Sequence, residues 1–94
     1  MEVSFGKKPY TQVEEDGYIV REFSEEVSSK ELVWHRDKKN RIVEVIEGEG
    51  WKFQYDNEIP FDIKVGDTFE VEAYDYHRLI KGKTNLVLRI TEYE

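Results

Sequence analysis

The feature of this chain that most constrains its fold is the spacing of its apolar residues, which alternate with polar residues in short segments. In "GWKFQYD", Trp51, Phe53 and Tyr55 alternate with charged or amide residues, and this period of two predicts a β-strand with one buried face. Helical periodicity is almost absent, and turns such as "EGEG" and "KVGD" separate the segments. About eight short strands in so short a chain predict an all-β sandwich or small barrel. The predicted strands lie in "GYIVREF", "ELVWHR", "RIVEVIEG", "GWKFQYD", "IPFDI", "DTFEVEA", "YHRLIKG" and "NLVLRITEY".

Length and charge restrict the class of protein further. The 94 residues predict a single domain over 1–94, and the net charge of −7 disfavours nucleic acid and anionic membranes as partners. The absence of cysteine excludes disulfides and thiol catalysis. No apolar run approaches the roughly 18 residues of a membrane span, and the N-terminal segment does not resemble a signal peptide. A soluble, cytoplasmic protein is expected.

One predicted strand is apolar on both faces. In "RIVEVI", Val43 and Val45 lie on one face, and Ile42 and Ile46 lie on the other. The core of a one-domain β-protein covers only one of these two faces. The other apolar face would be exposed unless another segment of the chain or a second subunit covered it. We predict a homodimer.

Both histidines of the chain occupy positions in a recognisable spacing. His35 and Asp37 precede Arg41 and Gly48, and "GDTFEVEAYDYH" runs from Gly66 to His77. This arrangement resembles the two motifs of the cupins, in which the matching histidines carry metal ligands. The resemblance covers residues 17–93. It implies a jelly-roll β-barrel with a divalent metal (Fe, Zn, Mn or Ni) held by His35, Asp37 and His77.

The motif also departs from the cupin pattern. Asp37 stands where cupins have a second histidine, and Arg41 stands where they have a glutamate. A cation about 5 Å from a divalent ion, at an effective dielectric near 20, would repel it by on the order of 6 kcal/mol. A site without metal therefore stays open as an alternative.

The residues themselves allow three interpretations of this site. Alternation places His35 and Asp37 on one face of a strand, and with His77 they would form the two-histidine, one-carboxylate set that suits non-haem Fe(II). In the second interpretation, Asp37 and Arg41 form an ion pair and His35 is a hydrogen-bonded core residue. In the third, Arg41 binds an anionic ligand, with or without metal.

We therefore predict a cupin-type barrel that binds a small molecule. This molecule could be anionic, because the positive charge of Arg41 would bind an anion. The candidate ligand-binding residues are Arg41, Gln54 and Tyr76, although the alternation in "WKFQYD" favours a solvated face for Gln54. The alternative is a metal-dependent oxygenase- or isomerase-type enzyme that uses His35, Asp37 and His77. A metal-free binding or interaction module is the competing hypothesis from another class.

Overall fold

Eight β-strands form two antiparallel sheets in the computed structural model, which describes residues 8–94. The first seven residues of the predicted domain lie outside this range. The larger sheet has the order β1–β2–β8–β3–β6, and the smaller has the order β5–β4–β7. The strands are β1 (Thr11–Glu15), β2 (Tyr18–Phe23), β3 (Asn40–Glu47), β4 (Lys52–Tyr55), β5 (Phe61–Asp62), β6 (Thr68–Val71), β7 (His77–Ile80) and β8 (Leu86–Tyr93).

The predicted all-β jelly-roll class is confirmed, but two segments differ from the prediction. Thr11–Glu15 forms a strand that was not predicted, because all five of its residues are exposed and their pattern carries no buried face. The segment "ELVWHR" was predicted to be a strand, which is wrong. Its first residue, Glu31, is the last residue of a 3₁₀ turn, Ser29–Glu31, which has a capping box on Ser28. The only β-pairing in the rest of the segment is an isolated bridge at His35.

The core lies between the two sheets, as alternation predicts. Val43 and Val45 of β3 are 5% and 1% exposed, whereas Ile42 and Ile46 point outward. Trp51 is fully buried, and its indole Nε1 donates a hydrogen bond to the carbonyl oxygen of Thr84 at 2.7 Å. Each large apolar side chain buried in this way contributes about 1.5–3 kcal/mol to stability.

The inward rows of β3 and β8 change from apolar to charged toward one end of the barrel. Arg41 is paired in register with Glu92, two positions from the buried pair of Val43 and Ile90. Because residues two apart on a strand share a face, Arg41 and Glu92 point into the space between the sheets. The fold thus places charged side chains at one end of an otherwise apolar interior.

The described residues contain no helix long and apolar enough to cross a membrane.

We expect the protein to be a homodimer that covers the outer face of β3. Ile42 and Ile46 are 45% and 39% exposed, so the described chain does not cover them. Light scattering at micromolar concentration should give twice the mass of one chain, and the double variant Ile42→Ser, Ile46→Ser should give a monomer. Ile59→Ser is the control, because Ile59 is 86% exposed in the connection between β4 and β5. A natural protein that is monomeric would contradict the prediction.

Candidate functional site

A cavity of about 530 Å³ opens at the charged end of the barrel. Its size is typical of pockets that hold small molecules. Its walls combine apolar side chains from both sheets with a cluster of polar groups. The apolar residues include Phe53, Val71, Leu79, Leu88 and Ile90, and the polar ones include Arg21, His35, Asp37, Arg41, His77 and Glu92.

The two histidines lie side by side although 42 positions separate them in sequence (77 − 35). His35 N–H donates to the carbonyl of His77 at 3.0 Å, and His77 N–H donates to the carbonyl of His35 at 2.9 Å. Their ring centroids are 4.3 Å apart. The proximity predicted from the motif spacing is therefore present, and a two-way backbone bridge produces it.

Each imidazole has one nitrogen occupied by the backbone. The Nδ1 of His35 lies 3.0 Å from the carbonyl oxygen of Val33, and the Nδ1 of His77 lies 2.9 Å from that of Asp75. Because a carbonyl only accepts hydrogen bonds, Nδ1 must carry the proton in each ring. In the neutral imidazoles Nε2 is therefore the unprotonated nitrogen, and this is the tautomer that binds a metal through Nε2.

Asp37 brings a carboxylate to the same point. Its Oδ2 lies 3.2 Å from Nε2 of His77 and 3.2 Å from Nη1 of Arg41. Neither contact has hydrogen-bond geometry, and this buried oxygen has no hydrogen-bond partner among the described residues. Ligand atoms of His35, Asp37 and His77 lie within 4.8 Å of one another. An orphaned carboxylate oxygen facing an imidazole lone pair fits a cation bound between them.

The surroundings keep His35 and Asp37 in the protonation states that bind a metal. Partial desolvation lowers the pKa of His35, although the residue is solvent-exposed, and the neighbouring His77 ring lowers it further, whereas the hydrogen bond to Val33 opposes the shift. Burial acts to raise the pKa of Asp37, but a hydrogen bond from His77, available only while Nε2 of His77 carries a proton, and the charge of Arg41 outweigh it, so the pKa lies below its usual value. At neutral pH His35 is neutral and Asp37 is ionised.

Arg41 faces the site and pairs with two carboxylates. Besides Asp37, it contacts Glu92, whose Oε2 accepts hydrogen bonds from Nε at 2.9 Å and from Nη2 at 2.7 Å. The Asp37–Arg41 pair considered in the sequence analysis is thus present. Glu92 supplies a second negative charge, which partly offsets the repulsion between Arg41 and a metal and leaves the arginine less available to an anionic ligand.

The structure places two of the candidate ligand residues away from this cavity. Phe53 points inward from β4, so its neighbour Gln54 points outward, where it accepts a hydrogen bond from Arg78 and donates one to the carbonyl of Glu58. Tyr76 is 42% exposed, and the guanidinium of Arg36 lies 5.1 Å from its ring. The expected ligand set of Arg41, Gln54 and Tyr76 therefore does not come together, and we leave Gln54 and Tyr76 out of the site.

Sequence reasoning missed two charged residues of the cavity, Arg21 and Glu92. Both stand at inward positions of their strands, Arg21 two residues before Phe23 and Glu92 two residues after Ile90. Extending the alternation from Phe23 and Ile90 would have placed both residues on the inward face. Charged residues are rarely buried without a partner or a function, so both would have been candidates for the site.

Comparisons with solved structures show what this fold is similar to. No family model matches the chain, and no curated protein matches it. A cupin-2 domain protein from Shewanella frigidimarina has a TM-score of 0.65 at 14% identity, covering 96% of this chain and 87% of its own. A cupin protein from Bacteroides fragilis has a TM-score of 0.62 at 12% identity, with coverages of 100% and 83%.

A third similar structure is that of Fe(II)-HppE with the alternative substrate (S)-1-HPP. Its TM-score is 0.63 at 18% identity, covering 89% of this chain and 48% of that chain. At such identities the likeness shows the fold alone. The cupin fold predicted from the motif spacing is confirmed.

We expect the Glu92→Gln variant to lower the free energy of unfolding by about 1–2 kcal/mol, because it removes one of the two counter-charges of Arg41, whose side chain is only 14% exposed. Urea denaturation measures the change. The matched control is Glu44→Gln. Glu44 pairs with Arg89 across the same two strands, but on the outer face, at 3.9 Å and with side chains 40% and 50% exposed. That variant should lose less than about 0.5 kcal/mol, and equal losses would contradict the prediction.

Proposed function

We propose that this cupin-fold chain binds a small molecule in its barrel cavity, next to a divalent metal held by His35, Asp37 and His77. The observation that carries the proposal is the cluster of His35, Asp37 and His77, whose ligand atoms lie within 4.8 Å of one another around a buried Asp37 oxygen that has no hydrogen-bond partner among the described residues. In each neutral imidazole the hydrogen bond at Nδ1 leaves Nε2 unprotonated. The mixed nitrogen and oxygen set suits Fe(II), Zn, Mn or Ni better than Ca or Mg, which prefer oxygen alone.

Three protein ligands would leave coordination positions free for the small molecule, and a bound divalent ion polarises a group that coordinates to it. The chain's own residues would do the rest. The contact with Arg41, which Glu92 supports from its other side, keeps Asp37 ionised and in place. The apolar wall of Phe53, Leu79 and Leu88 excludes water around the occupant.

A second candidate is a metal-dependent enzyme of oxygenase or isomerase type. Two observations favour it: the two-histidine, one-carboxylate set is the one found in non-haem Fe(II) oxygenases, and the fold is similar to that of Fe(II)-HppE. In this candidate the same residues bind the metal, and the small molecule in the cavity is a substrate.

Metal titration by calorimetry tests the proposal. Chelator-treated protein should bind one Zn(II), Ni(II) or Fe(II) ion per chain, the last under anaerobic conditions. His77→Ala should abolish this binding, because it removes one of the three proposed ligands. Glu44→Gln, on the outer face of the barrel, should bind as the natural protein does. Tight binding that survives His77→Ala would place the metal elsewhere and overturn the proposal.

The Arg41→Glu variant should bind metal more tightly than the natural protein. The change removes a cation whose Nη1 is 3.2 Å from the Asp37 ligand oxygen, and it adds a carboxylate. The gain should be a few kcal/mol, or about a hundredfold in affinity. Arg41→Gln should give an intermediate value.

Circular dichroism should first establish that both Arg41 variants fold, because Arg41→Glu places three carboxylates together in the metal-free state. Unchanged affinity in both folded variants would show that Arg41 does not act on the metal.

A further inference from the structure

A second guanidinium, that of Arg21, lines the same cavity as the proposed metal ligands. Arg21 lies on β2 between Ile19 and Phe23, which also line the cavity, and only 9% of its surface is exposed. Arginine is almost never buried to this extent unless its charge is paired. The position therefore calls for an explanation.

The contacts of Arg21 orient the cation without neutralising it. Gln12 Oε1 accepts hydrogen bonds from Nε at 2.9 Å and from Nη2 at 2.6 Å, and the ring of Tyr10 lies 3.9 Å from the guanidinium carbon. These partners are an amide and a phenol ring. Among the salt bridges of residues 8–94, none involves Arg21.

Arg41 lines the same cavity but, unlike Arg21, it is paired with carboxylates. Its guanidinium contacts the carboxylates of both Asp37 and Glu92. A buried cation without such partners is unfavourable, and burial lowers the pKa of Arg21 accordingly. Of the two arginines in this cavity, only Arg21 has no direct counter-charge among residues 8–94.

Arg21 also keeps hydrogen-bond donors for a ligand. A guanidinium has five N–H groups, and Gln12 accepts from two of them, so about three remain. The hydrogen bonds on one edge and the Tyr10 ring on one face hold the plane of the group. A guanidinium held in this way is prepared for the two oxygens of a carboxylate or phosphate, because less rotamer freedom is lost on binding.

We propose that Arg21 binds the acidic group, a carboxylate or a phosphate, of a small organic acid that occupies the cavity. The proposal rests on the proposed function, because it assigns the chemical class of the small molecule at that site. The apolar side chains of Leu88 and Ile90 would contact the body of the molecule, and its far end would reach His35, Asp37 and His77. The cavity volume of about 530 Å³ accommodates a molecule of this size.

The test uses three probes: butyrate, the neutral amide butyramide of nearly the same shape, and inorganic phosphate. NMR of the Arg21 Nε–H and calorimetry follow binding to the metal-free and the zinc-loaded protein. Butyrate should bind at least about tenfold more tightly than butyramide and shift the Arg21 signal, because a charged hydrogen-bond pair is lost with the amide. The ratio of butyrate to phosphate affinity shows which acid the site prefers.

Two arginine variants locate the effect. Arg21→Met should reduce butyrate affinity to that of butyramide while its melting temperature stays the same or rises, because a buried charge without a direct carboxylate partner is removed. Arg89→Met is the matched control, since Arg89 also stacks on a tyrosine, Tyr18, but on the outer face of the barrel. It should leave affinity unchanged. Arg21→Lys keeps the charge without the planar fork and should give an intermediate affinity.

The outcomes separate this proposal from the metal site. Butyrate affinity that survives Arg21→Met but falls with His77→Ala would assign the acid to the metal, which overturns the role of Arg21 and leaves the proposed function standing. Butyrate bound through Arg21 in a protein that binds no metal would support this inference and contradict the metal centre. An Arg21 signal that none of the three probes shifts would overturn the inference.

Discussion

The site depends on the backbone bridge between His35 and His77. The segment that carries His35 and Asp37 is not a regular strand, so its own secondary structure cannot hold it. The paired hydrogen bonds at His35 fasten it to β7, and the carbonyl of Asp37 accepts a further bond from the N–H of Tyr74 at 2.7 Å. Tyr74 has a positive φ of 68°, which a non-glycine residue adopts at some energetic cost. Backbone contacts thus set the distance between the side chains that would bind a metal.

Charged side chains of both signs line the cavity around the bridge. Arg21 and Arg41 stand against Asp37 and Glu92, and the exposed Lys8, Glu14 and Glu31 bring the formal net charge of the lining to −1. A divalent ion would change this net charge to +1 in a mostly apolar space, where interactions between charges are stronger than in water. A metal-bound cavity would therefore favour an anionic occupant.

Much of the fold could be predicted from the sequence, because alternation is a local property and the spacing of the two histidine motifs resembles that of the cupins. They led to the barrel, to the inward face of Val43 and to the meeting of His35 with His77. The exposed strand β1 escaped prediction because pairing with β2, rather than burial, stabilises it. The hydrogen bonds of Gln12 to Arg21 and the register of Arg41 with Glu92 arise from contacts between strands, which no pattern within a single strand encodes.

The place of β7 in the smaller sheet gives the His35 segment a second role. β7 is an edge strand of that sheet, with β4 on its inner side, and the bridge to His35 lies on its outer side. Unpaired strand edges are templates for association between chains, and proteins often cover them with a loop. The segment that supplies two of the proposed metal ligands therefore also shields an edge that could recruit another chain. Any event that detaches this segment, including loss of a bound ion, would expose the edge and make the protein more prone to aggregation.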